Sequence, residues 1–296
     1  DPAEVQSATV IAEHHTRHFA ANVLIIGAGY GLLALIGAVL IVRAGWVYLF
    51  TTRRRQRARP WAMVSWGALE ALEGGALLCF AMAAVAVGMG FAFGALAANA
   101  PVLLRLGLAA LQYLLMCGIA LALVWLRVPG TLAQKLAALG WRTPWSASLL
   151  VAGLGAYGVL LCCLALVAAV LPAQVGPALL GGAAVIRPIL GEALRSPLTG
   201  ILVFVFVAVM VPLLEETLFR GFIFAGLRRQ WPLGPAVVGS AVLFAALHHS
   251  AEGMLPIAVI GVVLALVYER SRSLVPAVIC HGLHNLLILV LLAITQ

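Results

Sequence analysis

Charge is what this chain has least of. Only 9% of its 296 residues are Asp, Glu, Lys or Arg, against 64% hydrophobic residues and a mean hydropathy of +1.11. A soluble globular chain is about 25% charged, so a soluble class is excluded. Aspartate occurs once, as Asp1, which excludes an intramembrane aspartyl dyad. No H-E-x-x-H is present, which removes the common intramembrane zinc protease pattern. Ser240 follows Gly239 and Ser250 follows His249, but neither sits in a G-x-S-x-G elbow or a G-x-S-G. The five cysteines (Cys79, Cys117, Cys162, Cys163, Cys280) lie in apolar runs without C-x-x-C spacing and read as small buried hydrophobes.

What is there is a series of long apolar runs. They predict an all-α, polytopic transmembrane helix bundle, because barrel strands would alternate over short segments. The net charge of +8 is no nucleic-acid signature, since the arginines cluster at the ends of the runs, as the positive-inside rule requires. Residues 1–21 read as a polar, extracytoplasmic tail rather than a signal peptide, with His14, His15 and His18 as solvated side chains. The first span runs over 22–42. Its Gly27-Ala28-Gly29-Tyr30-Gly31 fails the dinucleotide fingerprint because Leu32 stands where Gly is needed, but Gly27 and Gly31 suit close helix packing. Arg53, Arg54, Arg55, Arg57 and Arg59 mark a cytoplasmic loop.

Residues 60–98 are too long for one simple span, so 60–73, with Glu70 and Glu73, is expected to lie along the interface while 74–98 crosses. Further spans are expected near 101–126, 145–171, 198–229, 235–248, 254–268 and 274–294, about eight in all. The alternation places Arg127, Lys135, Arg142, Arg228, Arg229, Arg270 and Arg272 on the cytoplasmic side and both termini outside. The chain thus divides into the tail (1–21), an accessory transmembrane region (22–171), an extracytoplasmic connection (172–197) and a C-terminal core (198–296). Ala, Leu and Arg richness points to a bacterial source and so to the cytoplasmic (inner) membrane.

Within the core, ionisable or amide side chains are few: Glu215, Glu216, Arg220, His248, His281, His284 and Asn285. Each charge at the bilayer centre costs roughly 2.5 kcal/mol or more, so such groups are functional candidates by default. Counting ~1.5 Å per residue from the helix ends puts Glu215 ~20 Å deep, Arg220 ~12 Å, His248 ~21 Å, His281 ~10 Å and Asn285 ~16 Å, all in one slab. Glu216 and Arg220 stand i, i+4 with the acid first, the favourable order for an ion pair. Glu215 is rotated about 100° away and keeps its carboxylate free of that partner. A desolvated carboxylate makes the better general base, and His248 could share a water with it. His281 and Asn285, also i, i+4, could both donate to one oxygen as an oxyanion hole does. A bundle stitched by a buried salt bridge and satisfied histidines is the plain structural alternative. By elimination the chemistry is a glutamate-centred hydrolase or a Glu/His/His metal site with an open position.

Glu215-Glu216-x-x-x-Arg220, Phe244-x-x-x-His248 and His281-x-x-x-Asn285, with Glu-Glu-Thr-Leu-Phe-Arg-Gly at 215–221 and Ser-Leu-Val-Pro-Ala at 273–277, resemble the three motifs of the CPBP family over roughly 198–294. That family includes type II CAAX prenyl endopeptidases and bacterial immunity or processing proteins. The resemblance implies an intramembrane endopeptidase of glutamate type acting on a membrane-associated, C-terminal or CAAX-like peptide. Glu215 would activate water with help from His248, Glu216 and Arg220 would hold the site's shape and charge, and His281 and Asn285 would stabilise the oxyanion. No cofactor is expected; zinc on Glu215, His248 and His281 is the alternative. The expected partners are the bilayer and a peptide or protein substrate, with no nucleic acid and with oligomeric state left open. A non-catalytic binding or immunity protein using the same pocket is the rival reading. A proton-carrying transporter ranks behind it, since no inverted repeat is found.

Overall fold

The computed structural model describes residues 64–98, 100–141, 146–170, 190–248 and 253–294. The expected tail, first span and arginine-rich loop, most of the 172–197 connection and the polar break at 249–252 lie outside the described residues. Those described are helical throughout, with no strand. In chain order they form α1 (Ala68–Ala98), α2 (Val102–Arg127), α3 (Leu132–Ala138), α4 (Ala147–Val170), α5 (Pro197–Gln230), α6 (Leu233–Ala246), α7 (Met254–Ser271) and α8 (Leu274–Ile294). Among them α1, α2, α4, α5, α7 and α8 are long and apolar enough to cross a bilayer, and the chain is an integral membrane protein.

Local chemistry sets the helix ends. The Glu70 carboxylate accepts from the Gly67 N–H, satisfying one orphan donor at the start of α1. Thr131 and Gln134 close a capping box on α3. Pro197 opens α5 at a position where no N–H is needed. Arg272 ends α7 in the left-handed conformation at φ 55°.

Two expectations change. The second apolar run does not divide at Gly74, because α1 is continuous from Ala68. Glu70 and Glu73 therefore occupy its first turns, where Glu73 pairs with Arg127 at the end of α2 at 2.7 Å. Helix α6 has 14 residues, ~21 Å of length, and is too short to cross a hydrocarbon layer of ~30 Å alone. It ends inside the bundle, and the next two residues carry His248 to that depth.

Charged side chains collect at one end. Arg228 and Arg272 both reach Glu269, at 3.3 and 3.1 Å, and Gln230 accepts from the Ala68 N–H. The starts of α1, α6 and α8 and the ends of α2, α5 and α7 meet there, which gives the alternation of direction. The opposite end holds an ion pair between Arg105 and Glu192.

Helix α5 is the axis of the bundle. From Thr217 to Leu227 every residue is buried, and this stretch packs against α1, α2, α6, α7 and α8. It is not a regular α-helix: Val205–Met210 and Thr217–Phe224 are wound as π-helix. Pro212 explains the first. It has no N–H for the Ala208 carbonyl, and the preceding turn widens so that Val211 bonds Phe206 instead. Helix α8 fills the opening. The Asn285 amide donates to the Val207 carbonyl at 2.9 Å, and Gly282 lies so close that a Cβ there would stand 2.6 Å from the Ala208 oxygen.

This close approach predicts that Gly282→Ala lowers the thermal midpoint in detergent, with a loss of roughly 1–3 kcal/mol for an overpacked contact. Gly88→Ala on α1, where an added Cβ meets nothing within 4 Å, serves as the control and should melt no lower than wild type. Equal midpoints for the two variants would show that α8 is not held against the Ala208 carbonyl.

Candidate active site

The second π-wound stretch carries Arg220, and the turn before it carries Glu215 and Glu216. Glu216 and Arg220 are fully buried and joined at 2.9 Å between Oε1 and Nη1. The i, i+4 pairing expected from spacing is present, although the helix is locally wider there. Taking two charges out of water costs several kcal/mol per ion, so such a pair persists only with further partners. Each comes from a different helix. Arg220 Nη2 donates to the Gly261 carbonyl of α7 at 3.3 Å, and its guanidinium lies 4.4 Å from the ring centre of Phe244 in α6. Glu216 Oε1 also bonds His281 Nδ1 of α8 at 2.9 Å.

His281 bridges the two glutamates. A carboxylate only accepts, so Nδ1 carries the proton toward Glu216. Its other nitrogen, Nε2, stands 3.8 Å from Glu215 Oε2. That nitrogen is a donor in the imidazolium and an acceptor in the neutral ring. Phe244 meets the ring edge-on at 5.8 Å between centroids and lies 4.7 Å from the ring of His248. One phenylalanine thus braces Arg220 and both histidines.

Glu215 has a different environment. One oxygen, Oε1, accepts from the Tyr113 hydroxyl of α2 at 2.9 Å. The other, Oε2, is buried and has no hydrogen-bond partner. His248 Nδ1 donates to the Phe244 carbonyl at 2.7 Å, since a carbonyl only accepts. In the neutral ring this leaves Nε2 with its lone pair.

A cavity of about 1120 Å³ opens in front of these groups. Glu215, Tyr113, His248, His281, His284 and Asn285 line its polar part, and most of its remaining wall is apolar. Four of the five polar groups expected at one depth, Glu215, His248, His281 and Asn285, therefore face one space, with His284 beside them. Glu216 and Arg220 stand behind it. Asn285 differs from expectation in being partly committed, with one amide hydrogen on Val207 and one left over. His284 is buried, with no partner at Nδ1.

Tyr113 is the residue that sequence reasoning missed. A signal existed: counting back from Arg127 puts it ~21 Å from the charged end, the depth of Glu215. As one aromatic in an apolar span it did not stand out. Among the described residues no three His, Cys, Asp or Glu side chains converge as a metal site requires.

The fold and the site together define a membrane-embedded helical protein with a buried Glu–Arg–His cluster facing an apolar cavity. Residues 197–287 match a family model described as type II CAAX prenyl endopeptidase Rce1-like. The matched segment contains Glu215, Glu216, Arg220, His248, His281 and Asn285. No curated protein and no solved structure matches the chain.

Replacing Arg220 by Ala removes the guanidinium paired with Glu216 and leaves a buried carboxylate without it. The variant should lose about 3–5 kcal/mol of stability, read as a fall in the thermal midpoint of the detergent-solubilised protein. A midpoint equal to wild type would refute the pairing as a structural element.

Proposed function

We propose that this protein is an intramembrane endopeptidase of glutamate type, hydrolysing a peptide bond near the C-terminus of a membrane-associated substrate. The observation that carries the reading is Glu215 Oε2. It is buried and unpartnered, 3.8 Å from His281 Nε2, in the wall of a cavity large enough for a peptide segment. The family match of 197–287 supports the same reaction class.

In this mechanism a water at Glu215 Oε2 gives up a proton to the carboxylate as its oxygen attacks the scissile carbonyl. The forming oxyanion takes Nε2–H of His281 in its imidazolium form and the second amide hydrogen of Asn285. The proton then passes from Glu215 to the leaving amine as the C–N bond breaks. His248 assists through Nε2, which is free to accept from the water while Nδ1 stays on Phe244. Glu216 and Arg220 act one layer back, holding His281 by its far nitrogen. No cofactor enters these steps.

The same reading places the charged end, with Arg127, Arg228, Arg229, Arg270 and Arg272, at the cytoplasmic face of a bacterial inner membrane. Both termini are then extracytoplasmic in a bundle of about eight spans. Residues 198–296 form the catalytic core and 22–171 an accessory region.

The test is a quantitative comparison of the N- and C-termini of membrane proteins in cells carrying wild type or Glu215→Gln. A terminus present with wild type and lost with the variant, at equal protein abundance, is the expected result and identifies the substrate. Unchanged termini, with both proteins equally abundant, would replace hydrolysis by a binding or immunity role for the same pocket.

A further inference from the structure

Helix α2 lies wholly outside the segment that matches the protease family, yet it reaches the proposed base. The contact is specific. The Tyr113 hydroxyl donates to Glu215 Oε1 at 2.9 Å, and Phe206 packs edge-on against the Tyr113 ring at 5.5 Å between centroids. That aromatic contact comes from the first π-wound turn of α5, two turns before Glu215 on the same helix. Tyr113 is thus held by α5 at one point and holds α5 at another. Elsewhere α2 is mostly exposed, with only Cys117, Ala120 and Val124 buried. A helix so lightly buried in the bundle has little reason of packing to aim a polar group inward.

The geometry of Glu215 gives this bond a consequence. A carboxylate on an unbranched stem turns freely about its last torsion, and Glu215 has no neighbouring Arg within reach as Glu216 has. With Oε1 fixed by Tyr113, Oε2 faces His281 and the cavity. Without the hydroxyl, nothing else among the bonds described to Glu215 selects which oxygen faces the water. We infer that Tyr113 is a positioning residue of the site, supplied by the accessory region, and that it orients the Glu215 carboxylate for attack. This rests on the reading of Glu215 as the base. It assigns the accessory region a part in the chemistry: the catalytic constellation is completed from outside the family domain.

Tyr113→Phe removes the hydroxyl and keeps the ring. Two measurements on the full-length protein in detergent test the inference. The first is turnover of the substrate found by the terminus comparison. Here kcat should fall about 10- to 100-fold, the worth of one hydrogen bond to a charged group, with KM unchanged. Leu115→Ala, an exposed residue of α2 outside the cavity lining, should turn over as wild type does. Wild-type kcat in Tyr113→Phe, or a loss confined to KM, would overturn the inference. The second needs no substrate: a double-mutant cycle of thermal midpoints with Tyr113→Phe and Glu215→Leu. The two shifts should be non-additive, the second substitution costing less once the first is made. Additive shifts would overturn the contact itself. If Glu215→Gln leaves every terminus unchanged, the proteolytic reading has failed, and the cycle alone decides whether Tyr113 holds Glu215.

Discussion

The structure depends on one buried ion pair. Glu216 and Arg220 lie fully out of solvent in the middle of α5, and neither would remain charged there alone. Their demand for partners organises what surrounds them. The Arg220 guanidinium takes a carbonyl from α7 and an aromatic face from α6, while Glu216 takes an imidazole from α8. Apolar side chains slide past one another in a lipid-like medium, since burial adds little between helices already in hydrocarbon. Directional bonds to a fixed charge do not slide. The pair therefore sets the register of three helices about the fourth, and the arrangement of polar groups around the cavity follows from that register.

The site separates two carboxylates that are neighbours in sequence. Glu216 binds a guanidinium and an imidazole through Oε1, and its Oε2 is buried without a hydrogen-bond partner. Glu215 meets a neutral hydroxyl on one oxygen and nothing within hydrogen-bond distance on the other. Two acids side by side thus receive different environments, one against a guanidinium and an imidazole, the other against a neutral hydroxyl and the cavity. His281 connects them, since its two nitrogens face the two glutamates. A change at the structural pair is therefore felt at Glu215 through one rigid ring.

How much of this was legible depended on the reach of each signal. Residues that act within one helical turn were readable. The Glu216–Arg220 bridge follows from i, i+4 spacing, and Glu215 follows from its rotation off that face. Depth counting also placed His248, His281 and Asn285 in one slab with them. What spacing could not give was the direction of each bond across helices. His281 and Asn285 were expected to share one oxygen, but the wide turn forced by Pro212 leaves the Val207 carbonyl within reach of Asn285. Irregular winding has no period for sequence reasoning to count. The short α6 was misjudged for a related reason: its apolar run continues to Leu247, and hydropathy does not register where a helix stops inside a bundle.

Tyr113 shows where such reading runs out. Its hydroxyl matters only because α2 passes Glu215 at one particular height, and nothing local in α2 announces it. The motifs that carry the family resemblance all lie between Glu215 and Asn285, and α2 carries none of them. Yet a base held only by its own domain would have one oxygen fixed by nothing. In a site built from a single charged cluster, the remaining freedom is the rotation of Glu215, and the Tyr113 hydroxyl on the adjoining wall is the group bonded to it. The accessory helices of such a chain need not share any motif with the core to be part of its chemistry. They need only bring a donor to the right depth.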